Sequence, residues 1–124
     1  MVIIDSDILI TAYKQPNSPE SVEVRRLIDV NEAATVGIVL AEVLRGARAE
    51  AEFEEMSDEL LAMHYVDGGR PAWLLASRIL FDLKRAGNVI PLPDAIIAAE
   101  ALLSDSVVYG HDEHFRRIQG LRLH

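Results

Sequence analysis

Val2-Ile3-Ile4-Asp5-Ser6-Asp7 follows the first methionine of the chain. Three β-branched apolar residues in a row leave no polar face, as a strand buried on both sides of a parallel sheet requires. The Asp-Ser-Asp that ends the run offers helix-capping side chains. The chain is therefore expected to pass from the sheet straight into a helix, capped by Ser6 or Asp7 and running from about Ile8 to Lys14. A strand feeding directly into a helix is the first half of a crossover unit, and the remaining sequence repeats the pattern.

Ser18-Pro19-Glu20 supplies an N-cap, a first-turn proline and an early acid for a helix to about Val30. Ala34 to Gly37 reads as a second strand, and it runs at once into a helix over Ile38 to Arg48. An acidic helix follows from about Ala49 to Met63. His64-Tyr65-Val66 is the weakest strand signal, set before the Gly68-Gly69 turn. Arg70-Pro71 opens a helix in which Ala72, Ala76, Ile79, Leu80 and Leu83 share one face, with Gly87 as its terminal glycine. Asn88 to Pro93 reads as a loop, and Pro93-Asp94 opens an apolar helix over Ala95 to Leu103. Val107 to Tyr109 is the next strand, Gly110-His111-Asp112 a turn, Glu113 to Arg117 a short helix, and Leu121 to Leu123 a last strand. The predicted fold is α/β, one domain over residues 1–124, with a parallel sheet of four to five strands and helices on both faces.

Composition narrows the chemistry. The 124 residues are half hydrophobic, the mix of one compact domain with one core. Without cysteine, a disulfide framework, a thiolate zinc site, an iron–sulfur cluster and a thiol nucleophile are all excluded. Any metal must be held by oxygen or imidazole. The apolar start is cut by Asp5 and Asp7 before a secretory core or membrane span can form, which points to a cytoplasmic, non-membrane protein. Twelve Lys and Arg against 20 Asp and Glu give a net charge of −8, which argues against a broad basic face for nucleic acid. That imbalance is local. Glu50, Glu52, Glu54, Glu55, Asp58 and Glu59 form one run, and the other 14 acids nearly balance the 12 bases. The run reads as a solvated helix face.

In open α/β sheets ligands bind beyond the carboxyl ends of the strands. Four acids fall there: Asp5 after the first strand, Glu42 one turn into the helix after the second, Asp94 at a helix start on the same edge, and Asp112 after the fourth strand. Each also has an ordinary role, as cap or turn for Asp5, Asp94 and Asp112 and as a partner of Arg45 for Glu42. Their shared edge is what ordinary roles do not explain. Carboxylates so close raise one another's pKa unless a cation shares the space. Hard divalent ions such as Mg²⁺ or Mn²⁺, one or two of them, suit oxygen ligands and bridge to substrate phosphate. Metal-assisted phosphodiester cleavage is the chemistry expected of such a site.

Four stretches in order, Val2 to Ile10, Ala41-Glu42-Val43-Leu44-Arg45-Gly46-Ala47, Asp94 to Ala99, and Tyr109-Gly110-His111-Asp112-Glu113-His114-Phe115, resemble the PIN-domain ribonucleases. Within these the chain is similar to toxins of the VapC type, and the resemblance extends through Gly120-Leu121-Arg122-Leu123. It implies that Asp5, Glu42, Asp94 and Asp112 form the acidic metal site, with Ser6 the small hydroxyl residue beside the first Asp. It also implies an RNA substrate, a cognate antitoxin and a homodimer. Arg45 and Arg48 are candidates to meet substrate phosphate. His111 and His114 flank the site and read as ordinary surface residues. The chain departs from the pattern at Gly110, where such toxins usually carry Thr or Ser.

Two other classes share features with this chain. Asp5-Ser6-Asp7 after an apolar strand also resembles the nucleophile and general acid of haloacid-dehalogenase-type phosphatases. That chemistry needs a late Lys, and the last lysine, Lys84, sits within an amphipathic helix. A phosphoacceptor receiver domain also needs a late lysine and fails for the same reason. A catalytically weak interaction module that keeps the PIN-like fold remains, with Gly110 as its sequence argument.

Overall fold

The computed structural model describes Met1 to His124. Strands β1 (Val2–Ile4), β2 (Ala33–Val36), β3 (His64–Val66) and β4 (Val107–Tyr109) form one sheet in the order β3-β2-β1-β4. Every pairing is parallel. Helices α1 (Ser6–Lys14) and α2 (Pro19–Asp29) join β1 to β2, α3 (Gly37–Leu44) and α4 (Glu50–Leu61) join β2 to β3, and α5 (Gly69–Arg85) and α6 (Leu92–Ser104) join β3 to β4. The first two crossovers step one way across the sheet and the third returns past all of it. Right-handed crossovers therefore place α1 to α4 on one face and α5 and α6 on the other. The direction reverses between β1 and β4, so the crevice beyond their carboxyl ends is the ligand position of this topology.

The apolar start behaves as its composition demands, with Val2, Ile3 and Ile4 all buried at the centre of the sheet. Ladder pairing continues one residue past β1, where Asp5 N–H donates to the Tyr109 carbonyl at 2.9 Å. Helix α6 is buried along one unbroken stretch from Asp94 to Ala101. Its alanines, facing the buried Ala72 and Ala76 of α5, let the two helices lie close together. The acidic run of α4 is largely solvated, with Met56 and Leu60 turned to the core.

Four local expectations need correcting. Asp5 itself caps α1, its side chain accepting from Ser6 N–H, because the helix begins at Ser6, directly after the strand, rather than near Ile8. Helix α3 stops at Leu44 rather than Arg48, where Arg45 caps it ahead of Gly46. Helix α6 begins at Leu92, so Pro93 sits in its first turn and Asp94 is not a cap. The last strand shrinks to a single parallel bridge between Val108 and Leu123. No helix is long and apolar enough to cross a membrane.

Candidate functional site

Three neighbouring strands deliver acids to one crevice. Asp5 leaves β1, Glu42 lies on the helix that leaves β2, and Asp112 follows β4 as the cap of a short 3₁₀-helix (Glu113–Arg117). Asp94 enters from the first turn of α6, which packs on β4 and on that 3₁₀-helix. Asp5 is only 4% exposed and Asp94 only 8%. Burial pushes the Asp5 carboxyl up to about 7, against the opposing pull of Ser6 N–H at 2.8 Å, and the charges of Asp7, Asp94 and Glu42 push it further. The Asp94 carboxyl is likewise raised, first by burial and then by Asp112 and Asp7, while its bond to His114 opposes the rise.

The hydrogen bonds within this group are few. Ser6 Oγ donates to Glu42 Oε1 at 3.3 Å. His114 Nδ1 lies 2.8 Å from Asp94 Oδ2 and 2.8 Å from Asp112 Oδ1, and His114 N–H donates to the same Asp112 oxygen at 2.9 Å. Asp94, Asp112 and His114 offer ligand atoms within 4.8 Å of one another. Asp5 adjoins this trio through the charge of Asp94 and Glu42 adjoins Asp5 in turn, but neither belongs to a group of three that compact. Carboxylate oxygens around a carboxyl that resists ionisation are a donor set suited to a hard divalent cation.

The other sequence candidates separate clearly. Arg45 is exposed and makes no ion pair, with Glu42 or with the acidic run, and the same holds for Arg48. His111 turns away to Glu20 of α2 at 3.1 Å, the surface role expected of it. His114, expected on the surface as well, instead joins two of the acids. Asp7, read from sequence as a cap, contributes charge beside Asp5 and Asp94. The signal for Asp7 lay in spacing, two residues beyond Asp5, while nothing in the sequence marked His114. Lys84 sits in the last turn of α5 and no lysine takes part in an ion pair, so the phosphatase reading lacks its cation.

Gly110 has a packing cause. A Cβ there would stand 2.8 Å from Cε2 of the fully buried Phe115 and 3.3 Å from the Asp5 Cβ. Gly110→Thr is therefore expected to destabilise the protein by about 1–3 kcal/mol through overpacking, and to displace Asp5 rather than supply a useful hydroxyl. Thermal unfolding of the variant checks this, and an unchanged melting temperature would mean that the ring yields freely.

Residues 2–121 match the PIN domain family. The chain is a PIN domain. Among curated proteins it is similar to Ribonuclease VapC18 of Mycobacterium tuberculosis, 25% identical over 104 residues that span 78% of this chain and 76% of the relative. Among solved structures, the VapBC2 complex from Rickettsia felis bound to a promoter DNA fragment superposes with a TM-score of 0.84 at 21% identity. That match covers 100% of this PIN domain and 98% of the other chain. DNA-bound VapBC from Salmonella typhimurium gives a TM-score of 0.82 at 22% identity, over 99% and 96% of the two chains. At such identities the structural likeness speaks for the fold. The same PIN domain also carries a largely apolar groove of about 490 Å³ between α1, α2 and α4, lined by Leu9, Tyr13, Val24, Ile28, Met56 and Leu60, with Arg25, Glu55 and Glu59 beside them.

Proposed function

We propose that this PIN domain is a VapC-type toxin, a metal-dependent endoribonuclease held in check by a cognate antitoxin. One observation supports the reading: Asp5 at the end of β1 is buried and its carboxyl is raised to about 7 by burial with added push from the charges of Asp94 and Glu42, while Asp94 feels that of Asp112. Asp5, Glu42, Asp94 and Asp112 would hold one or two Mg²⁺ or Mn²⁺ ions. A bound ion supplies positive charge for the scissile phosphate and lowers the pKa of the attacking water. Ser6, by donating to Glu42, fixes the direction of that carboxylate. Arg45, exposed and unpaired one turn beyond Glu42, would meet a neighbouring RNA phosphate as a bidentate donor. The modest number of free bases implies few phosphate contacts and a shallow dependence of RNA binding on salt.

The partner reading rests on relatives crystallised as VapBC complexes, and the α1/α2/α4 groove offers apolar surface for a partner segment. A homodimer in the cytoplasm completes the proposal. The test is cleavage of single-stranded RNA by purified protein in chelator, Mg²⁺ and Mn²⁺, beside Asp94→Ala and a small phosphate ester. Cleavage that needs the ion, falls more than about a hundredfold in Asp94→Ala and leaves the ester intact is the expected result. Equal cleavage in chelator, or turnover of the ester, would overturn it.

A further inference from the structure

The four acids have only two side-chain hydrogen-bond partners between them, Ser6 for Glu42 and His114 for Asp94, with Asp112 at ion-pair distance from the same imidazole nitrogen. The two 2.8 Å approaches reach the same nitrogen of His114. Against ionised carboxylates, which only accept, a hydrogen on Nδ1 is directed to Asp94, while the Asp112 oxygen lies at ion-pair distance from the same nitrogen and accepts from the His114 backbone N–H. The imidazole thus stands between Asp94 and Asp112. A divalent ion held by those same two oxygens, Asp94 Oδ2 and Asp112 Oδ1, would compete with Nδ1 for them. Hard ions of the Mg²⁺ and Mn²⁺ type prefer oxygen to imidazole, so displacement of the ring is favoured over its recruitment as a ligand. The His114 side chain is 29% exposed and has solvent to swing into. Gly110 offers no side chain that could take over as donor, and Phe115 fills the space where one would stand.

We propose that His114 is an internal stand-in for the cation, a positioning residue that bridges Asp94 and Asp112 in the metal-free protein and is released when a divalent ion binds. The inference rests on the metal-site reading of those two acids and sets how readily the site loads. Displacing a charge-assisted hydrogen bond costs affinity, so His114→Ala is expected to bind Mn²⁺ about tenfold more tightly than wild type. Its metal-free melting temperature should fall, because the two carboxylates then face each other without the imidazole between them, and Asp94 loses its side-chain partner. His114→Gln, which keeps an N–H donor, should lie between the two.

The experiment follows thermal unfolding of wild type, His114→Ala and His114→Gln against Mn²⁺ concentration. It also follows the imidazole resonances of ¹⁵N-labelled wild type against Mg²⁺. The expected results are a lower half-effect concentration of Mn²⁺ in the alanine variant and movement of the His114 signals on Mg²⁺ addition, while His64, bonded to Asn31, stays unmoved. A half-effect concentration that rises or stays the same would overturn the proposal, as would a static His114 signal or a protein that binds neither ion. The wild-type resonances decide the matter even if a variant fails to fold. Displacement without RNA cleavage sinks the nuclease reading alone. Ion-dependent cleavage with an unchanged alanine variant sinks this inference alone.

Discussion

Asp5→Asn is expected to remove RNA cleavage, by more than about a hundredfold, while making the metal-free protein more stable at pH 8. Opposite signs for activity and stability follow from one cause. The Asp5 carboxyl titrates at about 7 in the folded chain against an ordinary value of 3.8, because burial outweighs the Ser6 N–H and the neighbouring acids add to it. A raised carboxyl is no burden below about pH 4, where folded and unfolded chains are both protonated. As pH climbs from about 4 to 7 the unfolded chain ionises freely and the folded chain resists, so stability drains away over that window and stays low above it. A rise from 3.8 to about 7 corresponds to about 4 kcal/mol. Asn cannot ionise, yet its side-chain oxygen still accepts from Ser6 N–H and it remains a good helix cap. Melting temperatures of chelated wild type and variant between pH 4 and 8 check this. The wild-type curve should fall with pH and the variant curve should be flatter, whereas parallel curves would show that Asp5 is not the group under strain.

Phe115→Ala should produce the largest loss of stability, about 3–5 kcal/mol, the usual cost of emptying a buried aromatic site. The ring is fully buried, it stands against the bare backbone of Gly110, and it anchors the 3₁₀-helix that carries His114 next to it and is capped by Asp112. In a chain of this size the melting temperature should fall by roughly 10–20 °C. Because the ring also holds the segment bearing Asp112, the variant should need more Mn²⁺ to reach half its full stabilisation. A loss of stability with unchanged response to Mn²⁺ would separate the core role of Phe115 from any role in shaping the site.

The architecture was largely readable in the chain because its apolar runs are unambiguous. Val2-Ile3-Ile4 and Val107-Val108-Tyr109 carry no competing helical period, and they became adjacent strands. Even the half-buried His64-Tyr65-Val66 formed its strand, at the sheet edge where little apolar content is needed. Helix ends were less legible. Pro93-Asp94 looks like a start signal, but proline is also at home inside the first turn, and Leu92 begins α6. That small shift frees Asp94 from capping and leaves its carboxylate to His114. The four acids stood out as candidates because the topology read from the sequence sends strand ends to one edge. His114 was not, since its role depends on how a 3₁₀ turn folds back toward α6, a tertiary relation that no local period encodes. Gly110 read as a missing hydroxyl, and only the contact with Phe115 gives it a reason.

The most direct measurement is the melting temperature of purified wild-type protein at pH 7.5 in chelator and in rising Mn²⁺ or Mg²⁺. Ion binding to the native site adds stability by mass action and relieves the repulsion among Asp5, Glu42, Asp94 and Asp112. The melting temperature should climb saturably with either ion, and Asp94→Ala should abolish most of the climb. A melting temperature indifferent to both ions and to chelator would contradict the claim that these carboxylates are gathered to hold a cation.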